Sequence, residues 1–337
     1  MSLQIPKNYE PTLTVKQTLK AVKIIKDVFE IELSKELNLD RVSAPLFVTS
    51  SSGLNDTLNG VERPVSFEFN GETVEIVHSL AKWKRLALKD YGYESHRGIY
   101  TDMNAIRADE IPDNFHSLYV DQWDWELVID REDRTVDFLK KTVRKIAEAI
   151  SNTRTLLSKT YPKSQVEALI DKHVFFITTQ ELENLYPNLT PKERENAIVK
   201  EHSTVFLMQV GDVLTSGERH DGRAPDYDDW TLNGDLLYYF EPLDCALEIM
   251  SMGIRVDEEA LESQLKKANA EDRKNLPFHK KLLAGELPLT MGGGIGQSRL
   301  CMLLLQKAHI GEVQVSLWPD EMRKICEEHK MHILYRQ

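Results

Sequence analysis

An α+β fold, an antiparallel β-sheet flanked by helices, follows from three features of the sequence. Two long segments repeat apolar residues in steps of three and four. Most other apolar segments are short and follow one another as hairpins do, and no regular βαβ succession occurs. The first helix is predicted over 14–38, where Val15, Leu19, Val22, Ile25, Phe29, Leu33 and Leu37 make one stripe. A strand is expected over 38–49, with Pro45 confining it to an edge or a bulge. A polar loop, 50–60, leads to short strands at 65–69 and 73–77 and a helix at 78–91. Strands at 99–107 and 116–129 precede the second long helix, 135–158, with Leu139, Val143, Ile146, Ile150 and Leu157 on one face. Further strands are expected at 173–178, 204–210, 235–240 and 245–256. A charged helical stretch, 258–286, then precedes a glycine-rich turn at 291–296 that opens a last helix, 297–306. With no repeat and no linker, the 337 residues read as one unit.

Composition narrows the function classes. The chain carries 42 Lys and Arg against 54 Asp and Glu, a formal charge of −12, which disfavours a phosphate-backbone surface. Its longest apolar runs, such as Met302–Leu305, fall far short of the ~20 residues that span a bilayer. Three cysteines (Cys245, Cys301, Cys326) form neither a CxxC pair nor an even set. They argue against a disulfide framework or a cysteine zinc site and point to the cytoplasm. The expectation is an enzyme acting on something small.

Four places put polar groups where the pattern expects apolar ones. In strand 116–129, Leu118, Val120, Gln122, Asp124 and Glu126 share one face, and Tyr119, Asp121, Trp123, Trp125 and Leu127 share the other. The polar trio marks either a ligand site or a solvated sheet face. In helix 78–91, Lys82, Arg85 and Lys89 read as a solvated face, whereas Lys84 sits with Leu80, Ala81, Ala87 and Leu88. Lys84 either snorkels to water or, under cover, needs an anionic partner. The run Met291–Arg299 places four glycines before a helix, which suits close backbone approach to an anion, but matches neither GxxxxGK[ST] nor GxGxxG. Finally, Glu248 and Arg255 lie in an otherwise apolar strand and need partners, either each other or a metal. Glu248 and Ser251 differ in strand parity and share a site only across a bulge, which Gly253 helps to accommodate.

These pieces together resemble the class II aminoacyl-tRNA synthetase catalytic core. The long helix followed by Pro45 resembles motif 1, Ala105-Ile-Arg107-Ala-Asp-Glu110 motif 2, and Gly292–Arg299 motif 3. Closer still is the similarity to the ammonia-dependent asparagine synthetases (aspartate–ammonia ligases). It rests on five strings, His78–Arg85, Tyr119–Glu126, Arg223–Trp230, Leu232–Asp235 and Ser251–Asp257, and runs from about residue 12 to residue 320.

The resemblance implies ATP-dependent conversion of L-aspartate and ammonia to L-asparagine through a β-aspartyl-adenylate, with release of pyrophosphate and AMP. It further implies that Arg107 and Arg299 hold the α- and γ-phosphates, with Glu110, Asp235, Glu248 and Gly294 also around ATP. Asp235, Glu248 and Ser251 are the implied Mg²⁺ ligands. Ser79, Lys84, Gln122, Asp124 and Arg255 are the implied aspartate clamp, with Asp56, Lys84, Gln122, Arg107 and Arg299 counted as catalytic. Asp56 matches the family's substrate-loop aspartate, and Asp228 belongs to the family's acidic loop 226–229; a solvated turn is the alternative for either. The family binds aspartate end-for-end relative to the synthetases, so which cation grips which carboxylate does not carry over. Also implied are a homodimer through helix 14–38 and a single catalytic domain with neither an anticodon-binding nor a glutaminase domain. The alternative is an aspartyl-tRNA synthetase-like paralogue that binds aspartate and ATP without ligating ammonia.

Overall fold

The computed structural model describes residues 3–56, 62–161 and 171–334. In chain order, α1 (Val15–Leu37) is followed by β1 (Leu39–Arg41), β2 (Phe47–Thr49), β3 (Ser66–Phe69), β4 (Glu72–Ile76) and α2 (Ala81–Asp90). The middle of the chain holds β5 (Gly98–Ile106), β6 (Tyr119–Val128), α3 (Val136–Thr160), β7 (Phe175–Thr178), α4 (Thr179–Leu185) and α5 (Pro191–His202). The rest comprises β8 (Thr204–Met208), β9 (Asp228–Phe240), β10 (Cys245–Arg255), α6 (Glu258–Lys267), α7 (Pro277–Leu283), β11 (Thr290–Gly296), α8 (Gln297–Leu305) and α9 (Asp320–Glu328).

Among the described residues, eight strands form one sheet in the order β1-β5-β6-β11-β10-β9-β8-β7. Its centre is antiparallel throughout, and only the edge pairs β1–β5 and β7–β8 run parallel. One face is covered by α1, α3 and α8. There Ile25, Phe29 and Leu33 of α1 and Val143, Ile146 and Ile150 of α3 are fully buried with Trp123 and Trp125 of β6. The Phe29 ring sits 4.7 Å from that of Trp123. Burial of such side chains, each contributing about 1.5–3 kcal/mol, fixes which way β6 faces. Gln122, Asp124 and Glu126 are thereby turned to the opposite side.

Several expectations need correction. The strand expected over 38–49 is two: β1 joins the large sheet, while β2 joins a separate three-stranded sheet with β4 and β3. Pro45, which has no N–H to offer a ladder, lies between them. The helix expected from 78 begins at Ala81, leaving His78–Leu80 outside it as an irregular lead-in. Lys82 and Arg85, read as solvated, are buried: Lys82 pairs with Asp226 at 3.0 Å, and Arg85 donates to the carbonyls of Pro288 and Val256. The glycine-rich run is a strand, not a turn, because β6 and β10 pair with it on both sides. Strand 235–240 extends back to Asp228, so Asp228 and Asp229 belong to β9 rather than to a loop. The stretch 258–286 divides into α6, a 3₁₀ turn (Glu271–Asn275) and α7. Three helices, α4, α5 and α9, were not anticipated; α4 and α5 are short, with Thr178 and Thr190 capping boxes that announce them. Residues 57–60 of the expected loop lie outside the described residues.

The 3₁₀ turn Ile310–Glu312 carries Ile310 against the cleft described below and is capped by His309, whose Nδ1 accepts from the N–H of Gly311 at 3.0 Å. His309 is buried edge-on to Trp318, and burial pushes its imidazole from the ordinary 6.5 down to about 4. The unfolded chain takes up this proton near pH 6.5, the native state only near pH 4. Stability from the neutral ring is therefore fully present above pH 6.5 and is lost as pH falls through that window, by roughly 3 kcal/mol. Urea unfolding at pH 4 and at pH 6.5 is expected to show this loss in wild type and a shallower one in His309→Gln.

Candidate active site

The site is built from the open face of β6, β11, β10 and β9. At its base, the carboxylate of Glu126 is fully buried and takes Nε (2.9 Å) and Nη2 (2.7 Å) of Arg255, with the hydroxyl of Thr290 at 2.8 Å. Lys84 Nζ stands 3.5 Å away and is itself paired with Asp124 and bonded to the Trp125 carbonyl at 2.8 Å. Burial alone would push the Glu126 carboxyl up; Arg255 and Lys84 outweigh it and hold it below the usual range. Arg255 Nη1 reaches Asp228 at 2.5 Å, and burial raises Asp228 despite that cation. Lys84 is thus ion-paired under cover, one of its two possible states.

Glycines in β11 make room for these groups. A Cβ on Gly292 would collide with Glu126 Oε2 and Arg255 Nη2, and one on Gly294 with Gln122 Oε1. Polar side chains from the two flanking strands thus account for Gly292 and Gly294, and Met252 with the Ser251 carbonyl for Gly293. Beyond it, Asp121 accepts from the N–H of Ser298 (3.1 Å) and its hydroxyl (2.9 Å), giving the α8 N-terminus the carboxylate its Gly296 cap lacks.

A bulge does bring Glu248 and Ser251 together. In β10 the register with β9 shifts between Glu248 and Met250, with a second irregularity between Gly253 and Arg255. Ser251 Oγ donates to Asp235 at 2.6 Å, and Arg223 bonds both, reaching Asp235 at 2.5 Å. Burial, then the nearby charge of Glu248, lifts the Asp235 carboxyl to about 6 although Arg223 opposes it. Arg299 Nη1 lies 3.2 Å from the Glu248 carbonyl and 3.5 Å from its carboxylate.

Two adjoining cavities lie over this floor. One, of about 440 Å³, is lined by Arg107, Glu110, Phe115, Ile310 and Arg299 among others; the second, of about 250 Å³, by Asp56, Ser79, Asp124, Asp228 and Arg255 among others. Gln122, Glu248, Ser251, Gly294 and Arg107 line both, so the two are ends of one cleft. Arg107, 3.6 Å from Glu110, keeps its Nε buried without a hydrogen-bond partner. Asp56 is buried, and its carbonyl accepts from His78 Nδ1 at 3.1 Å.

Of the residues picked out from the sequence, Lys84 and Asp235 do not reach the cleft surface: Lys84 lies behind Asp124, and Asp235 behind Ser251 and Arg223. Arg223, Tyr227, His78 and Asp221 line the cleft and were not singled out. For Arg223 the signal was present, since it opens one of the family-like strings. Glu126 was noted only as one of a polar trio; that it balances two cations needs the fold. Glu126→Gln, which leaves Arg255 and Lys84 under-compensated, is expected to lose about 3–5 kcal/mol in urea unfolding at neutral pH.

Similarity to known proteins falls on this architecture. The aspartate-ammonia ligase family model matches residues 16–330. An aspartate–ammonia ligase of Ruminiclostridium cellulolyticum is 59% identical over 99% of both chains, and one of Pediococcus pentosaceus is 60% identical over 99% of this chain and 100% of that one. Among solved structures, the asparaginyl-tRNA synthetase of Pyrococcus horikoshii complexed with asparaginyl-adenylate matches with a TM-score of 0.66 at 15% identity, over 90% of this chain and 70% of that one. The Entamoeba histolytica asparaginyl-tRNA synthetase matches with a TM-score of 0.67 at 15% identity, over 89% of this chain and 66% of that one. This chain therefore spans about two thirds of those synthetases and shares the fold of the class II catalytic core. With the family model covering nearly all of its length and relatives near 59% identical over it, the chain belongs to the aspartate–ammonia ligase family.

Proposed function

We propose that this chain makes L-asparagine from L-aspartate, ATP and ammonia through a β-aspartyl-adenylate. The observation that carries this is the single cleft with two chemically different ends. Arg299 stands at the larger end; Ser79, Asp124, Asp228 and Arg255 stand at the smaller; Arg107, Gln122 and Gly294 lie where they meet. Two arginines suit triphosphate oxygens whose charge shifts as the α-phosphorus is attacked, with Glu110 at the larger end. The smaller end suits a molecule with two carboxylates and an ammonium. Three of the five N–H donors of Arg255 are used by Glu126 and Asp228, leaving two for a carboxylate. Asp124 and Ser79 are placed for the substrate ammonium, and Lys84, held behind Asp124, sets that acid's orientation and charge.

Mg²⁺ is the divalent ion proposed here. Glu248 and Ser251 line the cleft and offer oxygens only, as does Asp235, which stands behind Ser251 and is held by Arg223. Mg²⁺ bound there would spread phosphate charge, while Arg223 and Arg299 keep the same carboxylates in place. One catalytic unit in the cytoplasm, with no nucleic-acid or membrane partner, completes the proposal. In support, the three cysteines are free and buried, and among the described residues no helix is long and apolar enough to cross a membrane. A homodimer is proposed through α1, which leaves Leu19 50% and Ile31 63% exposed, although Ile25, Phe29 and Leu33 of its stripe are spent on its own core.

Incubation with ATP, Mg²⁺, aspartate and ammonium chloride is expected to yield asparagine, AMP and pyrophosphate in equal amounts. Glutamine should not replace ammonium, and chelation of Mg²⁺ should abolish turnover. ADP with inorganic phosphate as products would overturn the adenylate step. Ammonium in neutral water lacks a lone pair, so some group beside the adenylate must attract it, take its proton, or do both, and a carboxylate can. Asp56, buried at the aspartate end, is proposed for this role. Asp56→Asn should keep aspartate-dependent pyrophosphate exchange while asparagine output falls ~10²–10⁴-fold. Equal loss of both would make Asp56 an aspartate-positioning residue instead.

A further inference from the structure

A second charge cluster lies behind the aspartate end of the cleft and has no part in the chemistry above. Asp226 is 0% exposed, and one of its oxygens, Oδ2, accepts from Lys82 Nζ (3.0 Å), His279 Nε2 (3.0 Å) and Arg273 Nη1 (3.2 Å). Its Oδ1 is buried without a hydrogen-bond partner. The three donors come from three elements: the first turn of α2, the 3₁₀ turn 271–275 and α7.

Each connection leads to a wall of the cleft. Lys82 Nζ also reaches the Asn55 carbonyl at 3.4 Å, next to Asp56, and follows Ala81, which lines the cleft with Ser79. Asn55 in turn accepts from the N–H of His78 at 2.8 Å. Tyr227 and Asp228, directly after Asp226, line the cleft, and Asp228 holds Arg255. On the far side, Arg273 and His279 belong to an outer layer. Its Leu261, Leu265, Phe278 and Leu282 form an apolar cluster with Leu54 and Leu86, and Leu276 packs over Gly53. That layer therefore rests on both the 53–56 segment and α2.

We propose that Asp226 is a positioning residue: through Lys82, Arg273 and His279 it ties the outer layer 258–288 to segments 55–56 and 227–228, so that this layer sets aspartate capture and leaves ATP use alone. The aspartate in this statement rests on the function proposed above. The segregation follows from placement. Segments 55–56, 81–82 and 227–228 supply Asp56, Ala81, Tyr227 and Asp228 to the lining of the smaller cavity and nothing to that of the larger.

The test compares wild type with Asp226→Asn, which keeps size, and with Arg273→Met, a milder cut at a partly exposed position. Steady-state asparagine synthesis gives KM for aspartate and for ATP; titration calorimetry gives aspartate affinity without turnover; thermal melts report folding. For Asp226→Asn, KM and Kd for aspartate should rise ~10-fold or more with KM for ATP within ~2-fold; for Arg273→Met the rise should be ~3-fold. A folded Asp226→Asn with unchanged aspartate affinity overturns the proposal. Equal loss toward ATP and aspartate, tracking a lowered melting temperature, also overturns it and makes the cluster a structural brace only. Should Asp226→Asn fail to fold, Arg273→Met decides by the same criterion. Wild type that binds aspartate yet makes no asparagine would fail the proposed function, while calorimetry would still judge Asp226.

Discussion

One buried carboxylate sets the terms for the site. Glu126 carries a full charge into a sheet interior, where an unpaired ion is far too costly to keep. It is tolerated because Arg255 approaches through two nitrogens and Lys84 stands behind it. The dependence runs both ways. Without Glu126, two cations would be held in the low-dielectric floor of the cleft with only Asp124 and Asp228 to answer them. The floor of the site is therefore an alternating lattice of charge, in which Asp124, Lys84, Glu126, Arg255 and Asp228 are each held by a neighbour of opposite sign. Such a lattice is preorganised: its dipoles and charges do not need to reorient as a substrate's charge develops.

The backbone yields to that lattice. β11 lies between β6 and β10, and side chains from both flanks lean across it. Glu126 and Arg255 occupy the space over Gly292, and Gln122 the space over Gly294. Glycine normally weakens a strand, so four of them in one central strand would be a poor choice on propensity alone. Ladders on both sides and the burial of Met291 and Ile295 hold the strand in place. The same strand then ends at Gly296, where Asp121, reaching from β6, supplies the missing cap for α8. Arg299 in the first turn of that helix is thus placed by a residue on a different strand.

Around the cleft, burial divides polar groups into those that meet a ligand and those that hold others in place. Gln122, Glu248, Ser251 and Arg255 reach the cavity surface. Lys84, Asp235, Glu126 and Asp226 do not, although three of the four sit within one residue's reach of it. A buried ion pair is weak support for stability by itself, because desolvation offsets much of the attraction. Its value here is directional: it fixes where a cation or carboxylate of the cleft points.

By itself the sequence determined the α+β class, both long helices and strands such as β6 and β10, because these rest on local periodicity that burial enforces. Trp123 and Trp125 alternating with Gln122, Asp124 and Glu126 already implied a two-sided strand. It also supplied the family strings, whose residues the fold gathers into one cleft. Tertiary structure alone decided the rest. Whether Lys82 and Arg85 face water depended on Asp226 and on the carbonyls of Val256 and Pro288, more than 100 residues away in the chain. Whether Glu248 and Ser251 share a face depended on a bulge in one ladder. Whether a glycine run is a turn or a strand depended on β6 and β10 pairing with it on both sides. Those are non-local balances of charge and volume, and a periodicity read along one segment contains no term for them.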